Sequence, residues 1–91
     1  MNVDTIWSKV ESAQRLAQEN SRSYAVLIVD DSDLERPVVV RESLIDYPEI
    51  AEFTTAIVAI INDDRSIVDG ERELTDRIET ICKLSNMEYR R

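Results

Sequence analysis

The sequence predicts a single small α+β domain of 91 residues, because helical and strand-like hydrophobic patterns follow one another along the chain. Apolar residues recur every three or four positions in the N-terminal and C-terminal quarters, as they do in amphipathic helices. Two short runs of β-branched residues lie between these segments and are typical of strands. We therefore predict, in chain order, a helix, a β-hairpin and two more helices, without an internal repeat or a linker.

The first helix is predicted over residues 2–20. Asn2 or Asp4 is a suitable N-cap, and polar residues at 20–23 end the pattern. The residues of its apolar stripe, at three and four spacing, are Val3, Ile6, Trp7, Val10, Ala13, Leu16 and Ala17. A stripe of this kind packs against a core, so we interpret Trp7 as a core residue.

The hairpin is predicted from two β-branched runs, YAVLIV at residues 24–29 and PVVVR at residues 37–41. Pro37 suits the first residue of a strand and is incompatible with a helix interior. Between the runs, the turn-forming residues Asp30 to Asp33 predict a loop of about six residues.

A central helix is predicted over residues 48–61, with Pro48 as a favourable first residue. The apolar residues that follow at helical spacing are Ile50, Phe53, Ile57, Ile60 and Ile61. Because apolar residues occur nearly all the way round, we predict that this helix is the most buried element and that Phe53 is a core anchor. The segment 54–61 is also rich in β-branched residues, so a strand there is the alternative.

The last helix is predicted over residues 66–86, either capped by Ser66 or beginning at Gly70, since glycine is unfavourable inside a helix. Cys82 falls on its apolar stripe, and we interpret it as a small buried residue rather than a nucleophile. Residues 87–91 are predicted to be a frayed tail. Residues 1–91 therefore form one domain.

The composition excludes several kinds of chemistry. The chain has no histidine, one cysteine and one glycine, so it has no catalytic triad, no zinc cluster and no phosphate-binding glycine loop. Catalysis by paired carboxylates needs a desolvated cleft, for which a chain of 91 residues has little room. We therefore predict a protein that is not an enzyme and has no cofactor and no metal site.

The acidic charge is the strongest functional indication in the sequence. Nineteen acidic residues against eleven basic ones give a net charge of −8, and direct binding to nucleic acid needs a basic surface instead. We predict a small acidic inhibitor or adaptor that presents carboxylates to a basic protein partner, for example a nucleic-acid-handling protein whose channel it occupies as a nucleic-acid mimic. The predicted partner-binding residues are Asp30, Asp31, Asp33, Glu35, Glu42, Asp46, Glu49, Glu52, Asp63, Asp64, Asp69 and Glu73.

The same acids have other interpretations. They suit a solvated hairpin loop and the start of a helix, where negative charge is favourable. Alternatively the chain is a structural or assembly subunit whose charge only maintains solubility, with the hairpin edge or the segment 48–61 forming a homodimer. A calcium loop starting at Asp31 fails, because Arg36 stands where the sharp turn needs glycine.

Residues 26–44, VLIVDDSDLERPVVVRESL, resemble the start of a response-regulator receiver domain. In that family the first strand ends in paired acids that hold magnesium, and Asp30 and Asp31 match them, which implies a cation- or phosphorylation-dependent regulatory domain. The resemblance covers a fifth of the chain. Only 45 residues follow Asp46, too few for the family's other strands and helices, and no later strand offers a phospho-accepting aspartate. We therefore transfer no function of that family to this chain.

The sequence also predicts where the protein resides. No apolar run approaches the length of about 20 residues that a bilayer span needs, and Met1 to Lys9 contains no hydrophobic signal-peptide region. A single thiol agrees with a reducing compartment. We therefore predict a cytoplasmic protein without a membrane partner.

Overall fold

The computed structural model describes residues 1–32 and 34–89, and the side chains of all of these except Asp31 and residues 86–89. The α+β class is confirmed, as are an N-terminal helix and a hairpin. In the described residues the chain order is α1 (Val3–Asn20), β1 (Tyr24–Asp31), β2 (Leu34–Arg41), a 3₁₀ turn (Glu42–Leu44), α2 (Pro48–Ala51), β3 (Thr54–Ile61) and α3 (Gly70–Tyr89). The strands form one antiparallel sheet with the order β2-β1-β3.

Helix α1 begins and ends close to its predicted bounds. The Asn2 side chain accepts a hydrogen bond from the backbone N–H of Thr5 at 2.8 Å, so Asn2 is the N-cap. Ser21 adopts the left-handed conformation, with φ of 52°, and its N–H donates to the carbonyl of Ala17. This cap terminates the helix and directs the chain into β1.

The hairpin is tighter than the sequence indicates, so the predicted six-residue loop is wrong. Asp31 pairs with Leu34, and only residues 32 and 33 lie between the strands. Ser32 has a φ of 55°, as two-residue hairpin turns require. Asp30 is exposed, and the backbones of Asp30 and Asp31 still pair with β2, so both residues extend β1 instead of forming the turn.

The predicted central helix at 48–61 is wrong over most of its length. Only Pro48–Ala51 is helical, with Pro48 in the first turn, and Thr54–Ile61 forms the edge strand β3. The β-branched residues of this segment favour a strand, and the strand satisfies its backbone hydrogen bonds by pairing with β1. The central, most buried element is β1, in which Ala25, Val26 and Leu27 are 0% exposed.

Helices α1 and α3 pack on one face of the sheet. Ile6 and Val10 of α1 and Leu74 and Ile78 of α3 meet Val26 and other residues of the strands in one core cluster. The core contains Trp7 as a partly buried member, in agreement with its interpretation as a core residue. Among the described residues, this arrangement leaves the opposite face of the sheet without a helix of comparable length.

Residues 42–53, the crossover segment, run over that opposite face. Strands β2 and β3 lie at opposite edges, and each is antiparallel to β1. At one end of the sheet the N–H of Glu42 donates to the carbonyl of Ser23 at 3.1 Å, and at the hairpin end the N–H of Asp30 donates to the carbonyl of Phe53 at 2.8 Å. The segment must therefore cross β1 over the full length of the sheet. This explains why Leu27 is fully buried although it does not belong to the helix-side core.

Helix α3 begins at Gly70, the second of the two predicted starts, and its backbone is helical to Tyr89. Gly70 has a φ of +83°, a conformation that other residues adopt only with strain. The preceding residues 66–69 lie beside β3, where Ile61 and Ile67 form a bridge. Of the predicted frayed tail, residues 87–89 continue the helix, and residues 90 and 91 lie outside the described residues. No helix in the described part of the chain is long and apolar enough to cross a bilayer.

Candidate interaction surface

The sheet face opposite the helices exposes apolar side chains, and we call this surface the open face. Strand register places Val38 and Ile57 on the same side as Leu27, which points away from the helix-side core. Phe53 is 45% exposed and Ile57 is 48% exposed. The apolar members of the open face are Val29, Val38, Val40, Ile50, Phe53, Ile57 and Ile60.

A groove lies in the open face between β2 and the crossover segment. Its volume is about 220 Å³, which is below the range of about 300–1,000 Å³ that is usual for small-molecule sites. The groove can therefore accommodate one or two side chains but not a typical cofactor. The residues that line it are Val29, Arg36, Val38, Val40, Glu49, Ile50 and Phe53.

The predicted acidic residues do not form one continuous surface. Asp30, Glu35 and Glu52 lie at the hairpin end of the sheet, since Phe53 is hydrogen-bonded to Asp30. The backbone of Asp31 belongs to the same end, whereas its side chain and all of Asp33 lie outside the described residues. Asp30 and Glu35 are opposite each other in the β1–β2 register, and their side chains lie on the helix side of the sheet. They therefore do not border the open face.

A second group of predicted acids lies at the opposite end of the sheet. Glu42 follows β2 there, and Asp63 and Asp64 follow β3. Asp30 lies six positions along β1 from Tyr24, which is at this end, and this spacing corresponds to roughly 20 Å. Asp69 and Glu73 flank the start of α3 in the same half of the molecule.

Two of these acids have partners within the chain. The carboxylate of Asp64 accepts hydrogen bonds from the hydroxyl and the N–H of Ser66 at 2.5 and 2.9 Å. These hydrogen bonds, chiefly the one from the hydroxyl, hold the pKa of Asp64 below its ordinary value. Asp69 forms an ion pair with Arg77 at 3.3 Å. The geometry therefore gives Asp64 and Asp69 a structural role in the β3–α3 loop.

The carboxylates of the crossover segment are in a different situation. Glu42, Asp46, Glu49 and Glu52 are exposed, and within the described residues none of them forms an ion pair. Residues 42–62 contain these four acids and no basic residue. Glu49 lines the groove, and Glu52 precedes Phe53. Glu49 and Glu52 are thus unneutralised charges beside exposed apolar surface.

A larger cavity, of about 530 Å³, lies at the other end of the crossover segment. Two guanidinium groups and two carboxylates line it, those of Arg22, Arg41, Glu42 and Asp46. Their charges cancel. The cavity therefore does not select an anionic or a cationic ligand by charge.

Cys82 is the free thiol of the chain. Burial raises the pKa of the Cys82 thiol, and the residue is only 6% exposed, so it is not poised as a nucleophile. In the described residues, no three side chains of His, Cys, Asp or Glu converge on a position for a metal ion. The receiver-domain resemblance also ends at β1, because an antiparallel strand follows it directly instead of a helix.

Both edges of the sheet have features that oppose pairing with another strand. On the β3 edge the Arg77 guanidinium donates to the carbonyl of Val58 at 2.8 Å, and the N–H of Val68 donates to the carbonyl of Ile60 at 3.0 Å. On the β2 edge Pro37 lacks an N–H. Natural sheets use such devices to prevent edge-to-edge association. The open face is therefore a more accessible contact surface than either edge.

Comparisons with protein-family models, with curated proteins and with solved structures found no significant match to this chain. The functional interpretation therefore rests on the geometry above. The sequence does not predict the open face, because it predicts Phe53 as a core anchor, whereas the structure leaves this side chain 45% exposed. The available signal is the uninterrupted apolar run at residues 56–61 of β3, which exceeds what an edge strand with one covered face needs.

Proposed function

We propose that the protein is a non-catalytic interaction module that binds a basic protein partner through the open face and the adjoining carboxylates of the crossover segment. The observation that carries the proposal is the exposure of Phe53 beside the unneutralised Glu49 and Glu52, with the exposed Ile57 on the same face of the sheet. Large exposed apolar residues with a charged rim are typical of protein-binding surfaces.

The two components of this surface have separate physical roles. Burial of Phe53, Ile57 and the valines of β2 supplies favourable free energy of about 25 cal/mol per Å² of apolar surface removed from water. The carboxylates contribute mainly to the rate of association and to the choice of partner. With a net charge of −8, the chain attracts positively charged proteins and repels acidic ones.

Charge also favours a different protein over a second copy of this chain as the partner. A twofold dimer through the open face would place two sets of Glu49 and Glu52 around one interface. Like charges that face each other across an interface are unfavourable. The capped β3 edge and Pro37 in β2 likewise disfavour a dimer through the strands.

Proteins that handle nucleic acids are one class of partner with the required basic surface. Their sites bind phosphates with lysine and arginine, which would also accept exposed carboxylates. Under this version of the proposal the chain acts as an inhibitor and competes with nucleic acid. Addition of a DNA or RNA oligonucleotide should then release the captured partner, whereas an adaptor would leave nucleic-acid binding intact.

The test is affinity capture from host lysate with the wild-type chain and two serine variants. Phe53→Ser alters the open face, and Leu84→Ser alters a residue of α3 that is 58% exposed and serves as the matched control. We expect basic proteins to be retained by wild type and Leu84→Ser, lost with Phe53→Ser, and weakened at about 0.5 M salt, where the Debye length is about 4 Å. Equal retention by both variants would contradict the proposal.

A homo-oligomeric assembly subunit is the second candidate, favoured by the same exposed Phe53 and Ile57. Sedimentation over a range of protein concentrations separates the two. Concentration-dependent association that Phe53→Ser abolishes, and that salt strengthens by screening the rim charges, would favour the assembly subunit. A monomer at all concentrations would favour the interaction module.

A further inference from the structure

The groove of the open face also indicates how a partner is bound, and this inference rests on the proposed function. A protein segment can bind a sheet by adding a strand at its edge or by placing a helix on its face. Strand addition needs a row of free backbone groups. On the β3 edge, the carbonyls of Val58 and Ile60 already accept hydrogen bonds, from the guanidinium of Arg77 and the N–H of Val68 respectively. These contacts favour recognition on the face.

The dimensions of the groove suit the side chains of a helix. Val38 and Val40 point to the same side of β2 and are about 6.7 Å apart along the strand. Residues i and i+4 on one face of an α-helix are separated by about 6 Å along the helix axis. Two successive anchors of a helix can therefore contact both valines, with Ile50 and Phe53 on the other side of the groove.

The charges around the groove favour a helix whose polar side carries basic residues. Glu49 lines the groove on the side of the crossover segment, and Glu52 lies close to it in the sequence. Arg36 lines the side of β2 and has an interaction within the chain. Lysine or arginine beside the apolar stripe of the helix would therefore face Glu49 and Glu52. This charge complementarity distinguishes a basic helix from a second copy of the acidic chain.

We infer that the partner presents a basic amphipathic helix, whose apolar stripe fills the groove between β2 and the crossover segment while its basic side faces Glu49 and Glu52. Val38, Val40 and Phe53 contact the apolar anchors. The small volume of the groove limits these anchors to one or two side chains.

The test uses three synthetic peptides of about 14 residues, roughly four helical turns, with the full protein chain. The first has leucines at i, i+3, i+4 and i+7 and lysines elsewhere. The second has the same composition in an order that destroys the stripe. The third keeps the leucine stripe and replaces lysine with glutamate. Binding is measured by fluorescence anisotropy, and its location by the backbone amide shifts of the protein in NMR titrations.

We expect only the first peptide to bind with shifts confined to the groove, at Val38, Val40 and Phe53. Phe53→Ser should weaken its affinity about tenfold, and Leu84→Ser should leave it unchanged. Glu49→Lys should also weaken binding more than Glu79→Lys, the same charge change at an exposed position of α3. A dispersed backbone amide spectrum of each free variant, like that of wild type, shows that it is folded.

Three negative results are distinguishable. If the scrambled lysine peptide binds as well as the striped one, the helix inference is overturned, whereas attraction to basic partners stands. If the glutamate peptide binds as well as the lysine peptides, the proposed function itself is contradicted. Shifts that map to the β2 or β3 edge would overturn the helix in favour of strand addition.

Discussion

Arg77 is the residue on which the β3 edge depends. Its guanidinium donates to the carbonyl of Val58 at 2.8 Å and pairs with Asp69 at 3.3 Å. Arg77→Met keeps the aliphatic stem but leaves that carbonyl without its partner. We expect a loss of about 1.5–3 kcal/mol in the free energy of unfolding, measured by urea denaturation. Arg72→Met, at an exposed position of the same helix, should change it by less than about 0.5 kcal/mol.

The same substitution should also affect association. An uncapped edge carbonyl beside an apolar strand offers a site for strand pairing, so Arg77→Met should sediment as larger species at high protein concentration. An Arg77→Met variant that stays monomeric and as stable as wild type would show that the guanidinium does not protect this edge.

Asp64 links the stability of the β3–α3 loop to pH. Hydrogen bonds from Ser66 lower the pKa of Asp64 in the folded chain, so ionised Asp64 stabilises the fold above its unfolded pKa of about 3.9. This contribution is lost as the pH falls through the lower, folded pKa. Ser66→Ala removes the hydroxyl donor, and we expect NMR titration to show a higher pKa for Asp64 in this variant. An unchanged pKa would mean that the Ser66 hydroxyl does not stabilise the carboxylate.

At the scale of elements, the crossover segment buries a second apolar layer between itself and β1. Leu27 is 0% exposed yet does not belong to the core under the helices. We therefore expect Leu27→Ala to cost about 2–5 kcal/mol, as in an ordinary core. Ile57→Ala, on the same face but 48% exposed, should cost far less. Urea denaturation measures both variants, and a similar small cost for each would show that the crossover segment does not cover β1.

Strand β3 illustrates which features the sequence can and cannot predict. Its apolar residues match helical spacing by chance, because a strand with apolar residues on both faces shows no alternation. Register shifts in its pairing with β1 disrupt the two-residue period further. The sequence predicts helix α1 from its single apolar face and the start of α2 from Pro48. It predicts the hairpin from its two β-branched runs and Pro37.

The candidate site was predictable only in part, for a related reason. The absence of basic residues at 42–62 identified the acids of the crossover segment. Their position over the sheet depends on the order β2-β1-β3, which follows from long-range pairing and not from local pattern. Asp64 and Asp69 looked equivalent to Glu49 in the sequence, and only their contacts with Ser66 and Arg77 distinguish them.

For the whole molecule, the net charge of −8 has opposite effects on stability and on binding. Repulsion among exposed carboxylates destabilises the compact chain, and salt screens this repulsion. We therefore expect the melting temperature of the free protein to rise between about 10 mM and 0.5 M NaCl. A gain of about 1 kcal/mol would correspond to a rise of about 4–8 °C for a domain of this size. Calorimetry with a chloride salt is suitable, since sulfate would also strengthen apolar burial.

Binding should respond to salt in the other direction, because the same screening weakens attraction between the carboxylates and a basic partner. The double variant Glu49→Gln, Glu52→Gln separates the two effects. We expect it to melt higher than wild type at low salt and to associate more slowly with the lysine peptide, with a weaker salt dependence of the association rate. A variant that melts higher but associates at the wild-type rate would show that these two carboxylates destabilise the fold without accelerating association. Electrostatic attraction of the partner would then arise from acids elsewhere in the chain.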